Sequence, residues 1–387
     1  LFQSLVRHFP DRKTGHYFSG WAAERQNDLA TACVHYEHAK NTFHDLRAYK
    51  ALARVYFQQK EYKKALRHYL ALEQRRDLSQ NELYNLGLTY LHLEQFEDAQ
   101  TCFEDVIAEN PAHPQAYYAL GHVAMAEQLP AEALSFYQSA LTLDPKNSAY
   151  QYALGYTYAR LKKYAPAIDW IQKSLSTQGS PESYFTLAKI YHKQKNAPAA
   201  IQAYTYYLRF FPYCGAGLNN LALLCFHESP HEALRLLQRA LKQMASGTGT
   251  PSARLSKTLA YNLALAHIYV EQPQEAQRIY ENLLKAPDIS DGLRSRLYLG
   301  LAYALHASDD PDAAQAMCRK AREIPNPQGQ EDAYELSARL HYARKDFAAA
   351  LSRYQDIYQM VESAEARSAA CYHMALCHWG LKDDSQA

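Results

Sequence analysis

The sequence has no excess of charge of either sign. Its 387 residues include 41 Lys and Arg against 40 Asp and Glu, and the two signs are mixed along the chain. Proteins that bind DNA or RNA through the phosphates need a basic patch to neutralise them, and this sequence shows none. We therefore predict no nucleic-acid partner.

Long apolar runs are also absent. No stretch approaches the roughly 20 residues of a membrane-spanning helix, and no signal peptide is visible, so we predict no transmembrane segment in this chain. The seven cysteines are odd in number and fall mostly at helical positions. Free thiols of this kind favour a cytoplasmic location, and export after removal of a signal sequence is the alternative.

Catalytic motifs are missing as well. The sequence contains no HExxH motif, no nucleophile elbow and no dinucleotide-binding glycine motif. The best metal candidate pairs His373 with Cys377, four residues apart on one face of a predicted helix. A closed zinc site needs four ligands, and the sequence places no second pair. We therefore predict that the chain is not an enzyme and binds neither a cofactor nor a metal.

What the sequence does contain is a repeat. LYNLGLTYLHLEQFEDAQTCFEDVIAENP (83–111) and YYALGHVAMAEQLPAEALSFYQSALTLDP (117–145) align without a gap, and both end in proline. An alanine that opens the second half of each unit recurs at nearly constant intervals in the first part of the chain and at longer, varied intervals later. These anchors are Ala32, Ala65, Ala99, Ala133, Ala167, Ala200, Ala233, Ala276, Ala314, Ala350 and Ala387.

A second small residue lies twelve positions before most anchors, and it marks where two helices cross closely. A larger side chain at such a crossing overpacks the core at about 1 to 3 kcal/mol. The small residues are Gly20, Ala53, Gly87, Gly121, Gly155, Ala188, Ala264, Ala302, Ala338 and Ala375.

Each unit is predicted to hold two helices. Apolar residues recur at i, i+3, i+4 and i+7, as in Tyr49, Leu52, Ala53 and Tyr56, which is one buried stripe on a helix. Proline in a helix interior costs about 3 kcal/mol, and none of the 16 prolines needs such a position. The prolines fall between the two helices or at the unit boundaries.

The repeat period, the two small positions, an aromatic residue near the twenty-fourth position and the closing proline resemble the tetratricopeptide repeat family. The resemblance covers essentially the whole chain. It implies an all-α fold, a right-handed superhelical solenoid of antiparallel helix pairs, with about ten repeats and partial repeats at both ends. The first helices would line a concave groove, and stability would come from stacking each repeat on its neighbours.

Repeat length divides the predicted solenoid into two halves. Residues 1–241 hold repeats of regular length, and residues 258–387 hold repeats of varied length. Between them, residues 242–257 read KQMASGTGTPSARLSK, an insertion rich in Ser, Gly and Thr. We predict a hinge or a binding loop at this insertion, with a tolerated surface insertion as the alternative.

Four aromatic residues, here called the aromatic column, occupy the fifth position of consecutive first helices: Tyr84, Tyr118, Tyr152 and Phe185. In the resembled family this position faces the groove, so the rings could hold apolar or aromatic side chains of a partner segment. Stacking of the rings to join repeats is the other interpretation, and the sequence leaves both open. Further predicted groove residues are Lys50, Arg54, Asn85, His122, Tyr156 and Lys189.

Basic residues at both ends of the column predict ligands with acidic groups beside aromatic or apolar ones. Lys50 and Asn85 match two positions with which chaperone-binding members of the family hold a terminal carboxylate. Arg54, Gln115 and Ala119 depart from that pattern, so a chaperone adaptor is not predicted.

The leading functional hypothesis is a non-enzymatic scaffold that holds protein or peptide partners in the groove and helps to assemble a complex. The alternative is the recognition arm of a larger enzyme whose catalytic domain lies outside this chain. A third hypothesis is homotypic assembly, and we expect a monomer or a weak homo-oligomer.

Overall fold

The computed structural model describes residues 13–245 and 253–384, which form 21 α-helices and no strand. Odd-numbered helices are the first helices of the repeats: α1 Lys13–Arg25, α3 Leu46–Gln58, α5 Gln80–His92, α7 Pro114–Ala126, α9 Ser148–Arg160, α11 Glu182–Lys193, α13 Gly215–Cys225, α15 Ala253–Tyr269, α17 Asp291–Ala307, α19 Pro327–Ala343 and α21 Ala364–Asp384. Even-numbered helices are the second helices: α2 Leu29–Phe43, α4 Tyr62–Glu73, α6 Phe96–Glu109, α8 Pro130–Leu143, α10 Tyr164–Thr177, α12 Ala197–Phe210, α14 Pro230–Ala245, α16 Pro273–Leu284, α18 Pro311–Arg322 and α20 Phe347–Met360. The predicted all-α repeat solenoid is confirmed.

The first helix of most repeats ends in a tight turn on a residue with positive φ, and none of these residues is glycine. Asn27, Lys60, Glu94, Gln128 and Lys162 have φ between 59° and 64°. In one such turn the N–H of Lys60 donates to the carbonyl of Phe57 (3.0 Å), and the next N–H donates to the carbonyl of Tyr56 (2.9 Å). These bonds satisfy carbonyls at the helix end and reverse the chain into the second helix.

The anchor alanines predicted from the sequence lie at the centre of the helix packing. All ten anchor alanines within the described residues, from Ala32 to Ala350, are fully buried, while Ala387 lies outside those residues. The small residue of the first helix lies against a ring of the second helix. A Cβ added at Gly121 would lie 2.4 Å from Tyr137, and one at Gly87 would lie 2.7 Å from Phe103. Larger residues therefore do not fit at these crossings.

The chain divides into two compact units, Leu1–Ile190 and Tyr191–Ala387. Within the first unit, α3 contacts both α1 and α5, and α5 contacts α7, so first helices of neighbouring repeats form one wall. Within the second unit, α15 contacts α13 and α17, and α17 contacts α19 in the same way. Each unit thus has its own layer of first helices.

The predicted hinge falls inside the second unit. Residues 246–252 of the insertion lie outside the described residues. The flanking helices α14 and α15 pack directly on each other. The hinge therefore stays a prediction, as does the partial repeat at residues 1–10, which also lies outside the described part.

The prediction that Ala375 is the small packing residue of the final helix is wrong. Ala375 is exposed, whereas Cys377 is fully buried in the core formed with α20. Gly380 is the residue that meets a ring there, because a Cβ added to it would lie 2.8 Å from Phe347. The twelve-residue spacing fails where α21, at 21 residues, is longer than the other first helices.

We expect Gly121→Ala to destabilise the protein, although alanine is the better helix former by about 1 kcal/mol. The new methyl would overlap the ring of Tyr137, which is 2% exposed and cannot move aside. Overpacking of this kind costs about 1 to 3 kcal/mol. The urea midpoint of unfolding measures the change.

Gly292→Ala is the matched control, because a Cβ added at Gly292 meets nothing within 4 Å. It should leave the midpoint unchanged or raise it. Equal effects of the two substitutions would show that the close helix crossing does not depend on glycine.

Candidate partner-binding groove

The aromatic column lies on the wall of first helices in the first unit. Its four rings belong to α5, α7, α9 and α11, one per repeat, and all are half-buried. Burial raises the pKa of Tyr84, and the neighbouring hydroxyl of Tyr118 raises it further. The pKa of Tyr118 is raised in the same way by burial and by Tyr152. The three tyrosines lie in successive repeats and are thus close enough for electrostatic interaction between neighbouring hydroxyls.

The buried side of each ring packs on the core. Tyr118 lies 4.8 Å from the ring centre of Tyr150 and 5.6 Å from that of Tyr137. Tyr84 lies 5.6 Å from the ring centre of Phe103. The column therefore contributes to packing whether or not it also binds a partner.

A hydroxyl pair links two repeats at the same wall. The Tyr152 hydroxyl lies 2.8 Å from the Thr186 hydroxyl, next to Phe185 in the following repeat. This contact was not predicted from the sequence. The signal was the separation of the two residues by one full repeat period, which brings equivalent positions of neighbouring first helices together.

His122 and Tyr156 border the column on the solvent side. His122 is exposed on one side, yet its Nδ1 lies 3.3 Å from the Tyr137 hydroxyl and its ring 4.4 Å from that of Tyr118. The protein around the imidazole excludes water from its other sides and lowers its pKa, which favours the neutral form of His122. Tyr156 is 36% exposed and stacks on Tyr152 at 6.2 Å.

The predicted cations are mostly paired within the protein. Arg54 donates two hydrogen bonds to Glu24, of 2.9 and 2.8 Å. Lys50 lies 3.4 Å from Asp77 and 3.4 Å from Glu82. These carboxylates reduce the positive potential that Arg54 and Lys50 offer to an acidic ligand, so the geometry gives the predicted acidic preference little support.

Two predicted residues remain near the ends of the column. Lys189 is exposed, and its ammonium lies 5.8 Å from the ring centre of Phe185. Asn85 is half-buried beside Tyr84. The structure therefore brings Asn85, His122, Tyr156 and Lys189 next to the column.

Glu24 and Tyr36 form a polar network with Arg54 that sequence reasoning missed. The Tyr36 hydroxyl donates to Glu24 Oε2 at 2.8 Å. Partial burial alone would raise the pKa of Glu24, but the hydrogen bonds from Arg54 and Tyr36 outweigh it and hold the pKa below its usual value. The sequence separation of Glu24 and Arg54 is not a multiple of the repeat period, so the period did not predict their contact.

His373 and Cys377, the candidate pair for which the sequence does not favour a metal site, lie in different surroundings. The ring of His373 stacks on Tyr354 at 4.9 Å, while Cys377 is buried. Within residues 13–245 and 253–384, no group of three or more His, Cys, Asp or Glu is placed to hold a metal ion. In the same residues, no helix is both long and apolar enough to span a membrane.

Known proteins share this repeat. The family model described as tetratricopeptide repeat matches residues 84–148 and 261–329. These matches identify tetratricopeptide repeats in the chain. A second model, described as anaphase-promoting complex, cyclosome, subunit 3, matches residues 127–205. Proteins with tetratricopeptide repeats generally mediate protein–protein interactions and complex assembly.

Two curated relatives are each 24% identical to the chain. BBSome complex member BBS4 of Bos taurus matches over 242 residues, 62% of this chain and 44% of the relative. Tetratricopeptide repeat protein 21B of Homo sapiens matches over 241 residues, 56% of this chain and 18% of the relative. The chain thus spans less than half the length of either relative.

Solved structures share the fold, as one example shows. The C-terminal part of a repeat-containing protein from Cytophaga hutchinsonii has a TM-score of 0.51 at 17% identity. The match covers 65% of this chain and 99% of that structure.

We expect Arg54→Gln to destabilise the protein at pH 7 by about 1 kcal/mol, because it leaves the Glu24 carboxylate without its guanidinium. The folded pKa of Glu24 lies below its ordinary value of 4.5, so the pair stabilises the fold above that pH and loses its effect as pH falls below it. The difference in urea midpoint between variant and wild type should therefore shrink from pH 7 to pH 3.5.

Arg278→Gln is the matched control. Its partner is Glu275, and both side chains are at least half exposed, so little stability depends on this pair. A loss in Arg54→Gln that is equal at both pH values would assign Arg54 a packing role in place of an electrostatic one.

Proposed function

We propose that the chain is a non-enzymatic scaffold that binds a segment of a partner protein along the aromatic column and so helps to assemble a complex. The observation that carries the proposal is the column itself. Its rings lie on four consecutive first helices, and each is only partly buried, which supports a role in binding.

The chemistry of the column favours a partner with apolar and aromatic side chains. Tyrosine rings offer large contact area, and their hydroxyls can pair with polar groups of an extended or helical segment. Burial lowers the pKa of His122 and favours its neutral form, and Arg54 and Lys50 already have carboxylate partners. We therefore infer that binding depends on ring contacts more than on charge.

The relatives agree with a role in assembly. One of them is by name a member of a complex. Because this chain spans 44% of that protein, a corresponding role here is part of the proposal. The alternative, a recognition arm of a larger enzyme, stays a prediction.

A random peptide library displayed on phage, selected against the purified chain, tests the proposal. We expect the selected peptides to be rich in aromatic and aliphatic residues. Their affinities for variants, measured by fluorescence anisotropy, locate the site. Tyr118→Ala and Tyr156→Ala should each weaken binding about tenfold or more, as central aromatic contacts do.

Tyr156→Ala separates binding from folding, because this ring is more exposed than Tyr118. The control variant Gln138→Ala changes an exposed residue of the second helix in the same repeat as Tyr118, and should bind as the wild type does. Selected peptides that bind Tyr118→Ala and Tyr156→Ala with unchanged affinity would place the partner site elsewhere and refute the proposal.

A further inference from the structure

The second unit contains a cavity that is separate from the aromatic column. Its volume is about 750 Å³, and it lies where three successive first helices, α15, α17 and α19, begin. The residues that line it are Arg254, Lys257, Thr258, Asp288, Ser290, Gly292, Leu293, Arg296, Asn326, Gln328, Gly329 and Asp332.

Three cationic side chains line this cavity. Lys257 donates to the backbone carbonyls of Pro287 (3.3 Å) and Asp288 (3.0 Å), which fixes its ammonium at the cavity wall. The guanidinium of Arg296 lies 5.0 Å from the ring centre of Tyr261. In the described part of the chain, Arg254 and Arg296 have no carboxylate within ion-pair distance. They differ in this from the paired cations of the first unit.

The helix starts add positive potential at the same place. Helices α17 and α19 are each 17 residues long, and their first-turn residues Gly292 and Gln328 line the cavity. The first N–H groups of a helix have no partner within it and carry a partial positive charge. The Asn326 side chain makes no capping hydrogen bond at the start of α19. Anions bind well at such helix starts.

A close contact between α17 and α19 shapes the wall. A Cβ added at Gly329 would lie 2.1 Å from Ser295 Oγ and 2.6 Å from Asn326 Nδ2, so only glycine fits there. The Ser295 hydroxyl is fully buried, has no hydrogen-bond partner among the described residues and faces Gly329 behind the wall. Gly329 thus lets the two helix starts approach each other. The start of α19 has no side-chain cap, whereas at the start of α17 the N–H of Leu293 donates to Ser290 Oγ at 3.4 Å.

Two carboxylates also line the cavity. Asp332 accepts a hydrogen bond from Gln328 Nε2 at 3.1 Å, and the backbone carbonyl of Asp288 accepts one from Lys257. The three cationic side chains and the partial positive charge of the two helix starts exceed the negative charge of these two carboxylates. The cavity therefore attracts negative charge.

We propose that this cavity is an oxyanion-binding site, in which Arg254, Arg296 and the starts of α17 and α19 hold a phosphate or carboxylate group. The oxygen atoms would accept hydrogen bonds from the two guanidinium groups and from the backbone N–H groups of the helix starts. The group comes either from a free ion or from a side chain of a partner protein.

Calorimetric titration of the whole chain tests the site with three probes: inorganic phosphate, a short peptide with one phosphoserine, and the same peptide with glutamate in that place. We expect saturable binding of at least one probe. The double variant Arg254→Gln, Arg296→Gln should weaken it at least about tenfold. Binding of phosphate alone identifies a free ion as the source, and binding of a peptide identifies a partner side chain.

Gly292 provides a matched pair of variants. The position is open, so Gly292→Ala should bind the probe as the wild type does. Gly292→Asp places a carboxylate at the site and should abolish binding, while its charge suits the start of a helix and leaves the urea midpoint unchanged or higher. Loss of binding without loss of stability therefore reports on the site.

Two results would overturn this inference: no saturable binding of any probe, or equal binding by Gly292→Asp and Gly292→Ala. This test is independent of the proposed partner site on the aromatic column. Tyr118 lies in the first unit, so Tyr118→Ala should leave binding of the probe unchanged.

Discussion

The structure depends on one contact that recurs in many repeats, a small residue in one helix held against a ring of another. Gly20 faces Tyr36, Gly87 faces Phe103, and Gly121 faces Tyr137. A Cβ added to any of these glycines would overlap the facing ring. The contact sets the separation of the two helices, and each helix pair in turn provides the surface on which the next pair stacks. Short helices gain their stability from this stacking, because most would be marginal alone.

The same contact explains why so much of the tyrosine content is structural. Tyr36, Tyr69, Tyr137, Tyr204 and Tyr280 are fully buried or nearly so, and their hydroxyls must find partners or stay unsatisfied. Tyr36 finds Glu24, whereas the Tyr280 hydroxyl has no partner among the described residues. The rings of the aromatic column differ from these, since they are only half-buried.

Sequence periodicity was sufficient for the fold because each repeat is defined by local rules. The anchor alanines, the helix pairs and the turns all follow from spacing and from the cost of proline in a helix. The side-chain contacts were harder to predict, because stacking joins residues that the period does not relate, such as Glu24 and Arg54. The cavity of the second unit was missed for another reason, since it lies between helix starts of repeats whose lengths vary. Ala375 shows that a fixed spacing fails in a helix of different length.

The turns with positive φ also bear on how the solenoid can change shape. Lys60, Glu94, Gln128 and Lys162 hold a left-handed conformation that glycine would adopt more easily. Glycine would also loosen the link between the two helices, whereas residues with a Cβ have fewer accessible backbone conformations. The helix hairpins with such turns are thus stiff elements. We expect bending within a unit to occur as small sliding motions between hairpins, which spread a bend over many interfaces.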